Sequence, residues 1–448
     1  MRKFITTVIL CLGYSWVQAQ NPTDTCQAGF LRTNSGYSYR MMEPTQNLRK
    51  VYQLAIERKN GELSNDQSLT IGASLIALAS YQNSNRDTKF GYMMRHPTSR
   101  NQIGDEVTEA VLHSFQVGLT GTVNSWLAAY AELLYDPQQT FVSTNPTATT
   151  TNIDRNQIQL RKAYLFFGNL NKLPIYGAIG KMDTPFGQTG SVNAFTNSTT
   201  WHAFGGLAYG AQIGFTKWNL HLTAMAVQGG AQFRALNMPV GDNTNVPSKL
   251  NNFVADLNYT FHFKKNFLRI GSSYMLGSAY CQEFPVIHFE PGKDNNPAYV
   301  FYGKLNLDKR LNIQGNFAKT VKVWPGTHNP APPLDKFAAS KVTAFDVGTS
   351  YQLNTNENNL FFLSGEFSKF IAGPDNAPWE RQNQYVLGFS CLLKQSSKLF
   401  FEAFRTEGYV PLNLLSGSND MQPFPAGTTH SEHDAHSMGL VLGGQLTF

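Results

Sequence analysis

The chain has 448 residues, a formal net charge of +6 and a polar mean hydropathy. Charged residues make up only 15% and aromatics 13%, with Phe and Tyr dominant, whereas soluble proteins carry roughly 25% charge. The positive excess is too small to argue for nucleic acid. Low charge, many aromatics, many glycines and no long apolar run suit an outer-membrane β-barrel, in which only alternate residues face lipid.

Met1-Arg2-Lys3 is a basic start, Phe4 to Trp16 is mostly apolar, and Val17-Gln18-Ala19 offers small residues to a signal peptidase. Residues 1–19 therefore read as a secretory leader. A helical anchor would need about 20 apolar residues, and this run is shorter. Without Arg2 and Lys3 the charge falls to +4, and Cys26, Cys281 and Cys391 are left, an odd number that permits at most one disulfide within the chain. Residues 20–66 form a polar periplasmic lead. Within it Leu48, Val51, Leu54 and Ala55 recur at helical spacing, which predicts a short amphipathic helix over 45–58. Such a helix could hang in the periplasm, plug the barrel or mediate self-association; docking at the inner rim is the expectation adopted.

From residue 67 to 448 the pattern is one of strand pairs. Sixteen segments are expected, at 67–81, 110–122, 124–135, 155–167, 172–182, 207–215, 218–227, 251–262, 266–278, 297–307, 310–321, 341–352, 358–371, 384–394, 397–409 and 437–448. Most are close to the ~9–11 residues that a tilted membrane strand requires. Long connections such as 82–109 and 183–206 alternate with short ones such as Thr216-Lys217 and Asp308-Lys309. Short periplasmic turns, long outer loops and an even strand count are the outer-membrane arrangement. The expected fold is all-β, a transmembrane antiparallel barrel.

Within the strands two faces separate. Phe253, Ala255, Leu257, Tyr259, Phe261 and Phe263 oppose Asp256, Asn258, Thr260 and His262. Extending that parity gives the expected pore lining: the basic residues Arg161, Lys181, Arg269 and Lys304, the acidic residues Asp256, Asp346 and Glu366, and His221 and His262. Charges in a wet pore select solutes by sign; a polar lining without selectivity is the alternative. Lys162 takes the lipid-facing parity beside Arg161, so it either snorkels or sits at a bulge. The third long loop is rich in Gly, Ser, Thr and Asn and carries Phe195, Trp201, His202 and Phe204. Folded inward it would be a constriction with aromatics to stack on a ligand; folded outward it would be a surface loop.

The last loop holds His430, His433 and His436 with carboxylates between, good transition-metal ligands, or else a solvated tip. Such a loop-bound metal is the only cofactor considered. No G-x-S-x-G, H-E-x-x-H, P-loop or Cys-x-x-Cys motif occurs, so no catalytic residue is assigned and a channel rather than an enzyme is expected. In the final strand Leu440, Leu442, Leu446 and Phe448 share one face, with Val441, Gly443, Gln445 and Thr447 on the other. A closing strand ending in Phe resembles the C-terminal signal by which bacterial outer-membrane barrels are recognised for assembly. The expected partners are outer-membrane lipid and lipopolysaccharide, the barrel-assembly machinery through Phe448, and a small-molecule ligand. Nucleic acid is not expected, and homo-oligomerisation is left open.

Residues 155–187, RNQIQLRKAYLFFGNLNKLPIYGAIGKMDTPFG, resemble a strand-pair signature shared by several sixteen-stranded porins, including phosphate-selective types. With the helical lead and the GLTGTVNSWLAAYAELLYD strand pair, the wider pattern resembles the LbtU-like siderophore porin family. That resemblance implies uptake of a ferric siderophore across the bacterial outer membrane without a large plug domain. It implies no ligand residue. A channel for phosphate, sugars or other nutrients is the runner-up, and a barrel-borne hydrolase or adhesin a more distant reading.

Overall fold

The computed structural model describes residues 29–43, 49–86, 105–135, 158–188, 190–228, 250–281, 295–354, 356, 358–410 and 431–448. The leader, Cys26 and His430 lie outside them. Sixteen long antiparallel strands close into one barrel: β1 Ser68–Ser84, β2 Glu106–Thr122, β3 Leu127–Tyr135, β4 Ile158–Gly168, β5 Ile175–Asp183, β6 Leu207–Lys217, β7 Leu220–Val227, β8 Asn252–Phe263, β9 Asn266–Met275, β10 Ala298–Leu307, β11 Leu311–Thr320, β12 Thr343–Gln352, β13 Asn359–Ile371, β14 Arg381–Leu393, β15 Ser397–Tyr409 and β16 Glu432–Thr447. Each of the sixteen predicted segments overlaps one of them. A two-residue bridge, Leu31–Arg32, adds to β1 in parallel.

Closure rests on the last strand. β16 pairs with β1 from Ser437↔Ser84 to Thr447↔Ser74, and Phe448 exchanges two backbone hydrogen bonds with Ala73, at 2.7 and 2.9 Å. No edge between the first and last strands is left unpaired, which is what lets a sheet cross a bilayer. Along β16 the predicted alternation is realised: Leu442 is 58% exposed on the outside, and Val441 is 0% exposed inside. The same apolar outer face recurs around the barrel, with Phe253, Leu257, Val347, Leu363 and Leu387 all exposed. An apolar belt of that extent on a closed barrel is a lipid-facing surface.

At the periplasmic end the strands turn tightly. Trp218-Asn219, Asp308-Lys309 and Lys394-Gln395 each hold two successive residues at positive φ, the type I′ geometry whose twist matches the strands. Two bulges re-aim side chains. Opposite Glu132 and Leu133, Arg161 is the extra residue of β4; opposite Ile76 and Ala77, His113 is the extra residue of β2. A bulge adds one residue to one strand, so Arg161 and Lys162 both turn inward. The outward parity read for Lys162 fails there for that reason.

The N-terminal lead enters the barrel instead of resting at its rim. It forms α1 (Ser35–Met42), capped by the Asn34 side chain accepting from Tyr37 N at 2.9 Å, and α2 (Lys50–Lys59). Helix α1 was not predicted, because Gly-Tyr-Ser-Tyr lacks a helical apolar period. At Gly72 a side chain would collide with Ser38 (a Cβ would lie 1.9 Å from its Oγ), so the helix lies directly on the wall. Tyr37 OH meets Thr120 Oγ1 at 2.6 Å, and Arg58 donates to Asn124 O in the first periplasmic turn at 2.7 Å. The lead is thus a plug pushed in from the periplasmic mouth.

Candidate functional site

The interior is shared by two inserts. From the outside, the third long loop folds inward and carries a short helix α3 (Thr199–Phe204). From the periplasm come α1 and α2. The two meet at mid-depth. Arg49 spans them: it donates to Asp256 through both Nη atoms, at 2.6 and 2.8 Å, to Gly187 O of the loop at 2.7 Å and to Tyr302 OH at 3.0 Å. Lys398 does the same on the other side, pairing with Glu43 of the plug at 2.9 Å and donating to Ala194 O of the loop at 2.7 Å.

Burial alone would lower the pKa of the Arg49 guanidinium, but Asp256 and Tyr302 outweigh it and hold the group above its ordinary value. Lys50 is fully buried in α2 and donates to Arg40 O at 2.5 Å; burial first, and the Lys162 cation second, push its ammonium down to about 7. Arg40 is clasped by Glu57, which joins α1 to α2.

The loop is held by wall carboxylates. Glu366 accepts from Ser191 Oγ (2.9 Å) and Val192 N (3.2 Å); Glu402 accepts from Phe195 N (2.7 Å) and Thr196 N (2.9 Å). Asn316 holds Asp346 and donates to Gln188 O, while Gln314 donates to Gly190 O. Phe195, 1% exposed, stacks on Phe400 at 5.3 Å within an apolar patch that includes Ile76, Val386, Phe404 and Val441.

The expected pore lining sorts into five groups. Asp256, Asp346 and Glu366 face inward but are occupied by the inserts. Arg161 faces inward against Glu132 at 3.0 Å, with Lys162 alongside. His221 faces inward under Tyr52 of the plug and bonds Tyr176 OH at 2.8 Å; His262 is exposed at the periplasmic rim. Lys181 is a correction. It shares the outward parity of Ile175 and Ile179, lies over the Tyr209 ring and donates to Leu160 O at 3.3 Å. Arg269 and Lys304 face inward and stand directly opposite one another on β9 and β10.

The aromatics expected at a constriction also divide. Phe195 and Phe204 are buried anchors of the loop, with Phe204 packed on Phe186 and Tyr280, so neither offers a face to a passing solute. Trp201 and His202 are only partly buried. Of the three histidines read as a metal set, His430 lies outside the described residues. Residues 432–436 belong to β16, where the pairing with β15 is irregular between His436↔Glu407 and Glu432↔Tyr409. Glu432, His433 and Asp434 keep ligand atoms within 4.8 Å of one another at the exposed strand end. Cys281 and Cys391 are free thiols.

Sequence reasoning missed Arg49, Glu132, Glu402 and Lys398. Glu132 carried a usable signal, a lone acid on the inner parity of β3. Glu402 did not, because its inner-face neighbours Phe400 and Phe404 make that face look oily where the loop docks.

No family model and no curated protein matches this chain. Among solved structures, the anion-selective porin from Comamonas acidovorans superposes with a TM-score of 0.50 at 10% identity, over 86% of this chain and all of that one. OprB of Pseudomonas putida, in its high-pH structure, does so with 0.50 at 8% identity, over 90% and 99%. The chain has a porin-like outer-membrane fold. At such identities the likeness is one of architecture, and it agrees with the apolar belt and the closed sixteen-stranded wall in placing the barrel in a bacterial outer membrane.

Proposed function

We propose that the protein is a solute-selective channel of the outer membrane and carries no catalytic site. The observation that supports this is an interior that stays wet on one side only. At the periplasmic half the inward residues of β1–β8, such as Thr70, Thr120, Phe166 and Tyr176, are buried by the plug. Those of β9–β13, such as Arg269, Lys304, Asn306, Asn312 and Ser350, remain partly exposed. A solute would use that vestibule, and conduction needs binding that is favourable but reversible.

The resemblance to LbtU-like siderophore porins makes a ferric siderophore the first solute to test. The filled interior favours the second reading, a smaller solute such as phosphate or a sugar, since a bulky chelate would require the plug to move. Liposome swelling with graded sugars and anions, beside ferric-siderophore uptake by a deletion strain, separates the two. Swelling by small solutes with unchanged iron uptake would remove the siderophore; no swelling and no uptake defect would remove the channel. A hydrolase or adhesin would then be sought by lipid and peptide hydrolysis in detergent. Phe448 is proposed as the contact for barrel assembly: replacing Leu446 and Phe448 with Asp is expected to abolish the heat-modifiable barrel, and wild-type levels would refute this.

A further inference from the structure

We infer that Arg269 and Lys304 form a binding site for a small oxyanion, a phosphate or carboxylate group, on the periplasmic side of the plug–loop junction. This rests on the channel reading and names the solute class for it. The two residues are cross-strand partners on the inner face, so their Cβ atoms are about 5 Å apart. Arg269 Nε donates to Thr260 Oγ1 at 3.1 Å, and among the described residues neither cation has a carboxylate within ion-pair distance. Like charges set directly opposite destabilise a sheet. Their placement is accounted for if an anion joins them.

The neighbourhood sharpens the site. Tyr302, two residues before Lys304, lies across Gly271, where any side chain would strike its ring. It thereby roofs the pair and hands its hydroxyl to Asp256 at 2.8 Å. Asp256 is consumed by Arg49, Ser273 and Tyr302, so it does not neutralise the pair below it. The other basic candidates are spoken for, Arg161 by Glu132 and Lys181 by the outer wall. What an entering solute meets is a guanidinium fork beside an ammonium, an arrangement suited to planar or tetrahedral oxyanions.

The test uses the full chain in two measurements. Inorganic phosphate and citrate are titrated separately by calorimetry into detergent-solubilised protein at low ionic strength. Reversal potentials are recorded in planar bilayers under a KCl gradient. The variant R269Q/K304Q is expected to weaken oxyanion binding by about tenfold or more, as losing charge-assisted contacts implies, and to shift the reversal potential toward cations. R269K/K304R should retain most of both, and K181Q should match wild type. Heat-modifiable mobility on gels reports whether each variant folds. Wild-type phosphate and citrate binding in folded R269Q/K304Q overturns the site and leaves the channel reading standing. A silent wild-type protein whose oxyanion binding is lost in the variant sinks the channel reading and keeps the site.

Discussion

The two inserts that fill this barrel are held by opposite means. The plug is tied to the wall by charged side chains: Arg49 and Arg58 donate to acceptors on a strand and a turn, and Glu43 accepts from the wall's Lys398. The loop reaches outward with its own backbone, offering N–H groups to Glu366 and Glu402 and one aromatic anchor to an oily patch. The loop is fixed at both ends by β5 and β6, so ordering it costs less chain entropy. The plug continues into β1 through residues 60–67 and is held by ion pairs together with the Leu31–Arg32 bridge, the Tyr37–Thr120 bond and apolar packing of Met41, Val51 and Leu54. From that difference the plug is expected to be released more readily than the loop.

The largest expected effect comes from deleting residues 29–66. Conductance should rise severalfold while heat-modifiable mobility is kept, because the lead pairs with the barrel's backbone only through the two-residue bridge Leu31–Arg32 on β1; loss of the barrel would mean that the plug is structural. Next is Arg49→Gln. It strands Asp256 inside the protein, and unpairing a buried charge costs about 3–5 kcal/mol. Trypsin should then cut within α2 much faster than in wild type with barrel mobility unchanged, and equal cleavage rates would show that Arg49 does not hold the plug. A smaller effect is expected for Glu402→Gln, which keeps an acceptor but loses charge, about 1–3 kcal/mol at the loop tip. Its signature is added current noise without faster plug cleavage; accelerated plug cleavage would mean that the inserts move as one. The smallest is Lys181→Gln, expected to leave conductance and ion selectivity unchanged because the side chain leaves β5 on the outward parity and its ammonium is buried against Leu160 O and the Tyr209 ring. A change in selectivity would return it to the pore.

Period-two alternation is a local property, and it was enough to read every barrel strand, the lipid-facing belt and the closing role of 438–448 from residue order alone. It failed where geometry departs from that period: at the Arg161 bulge, where one extra residue reverses parity, and at the start of β16, where a strand replaces the expected loop over 432–436. It failed again where a wall face serves an insert instead of water, as at Phe400, Glu402 and Phe404. The partners that define the interior are remote in sequence. Arg49 and Asp256 are 207 residues apart, and Glu43 and Lys398 are 355 apart. No local pattern encodes such pairs; they exist because closing the barrel brings facing walls within reach of one plug and one loop. Polarity along each strand therefore determined which side chains turn inward, apart from Lys181 and the bulged turns. Only the tertiary structure decided which inward charges are cancelled, and that Arg269 and Lys304 have no carboxylate within ion-pair distance among the described residues.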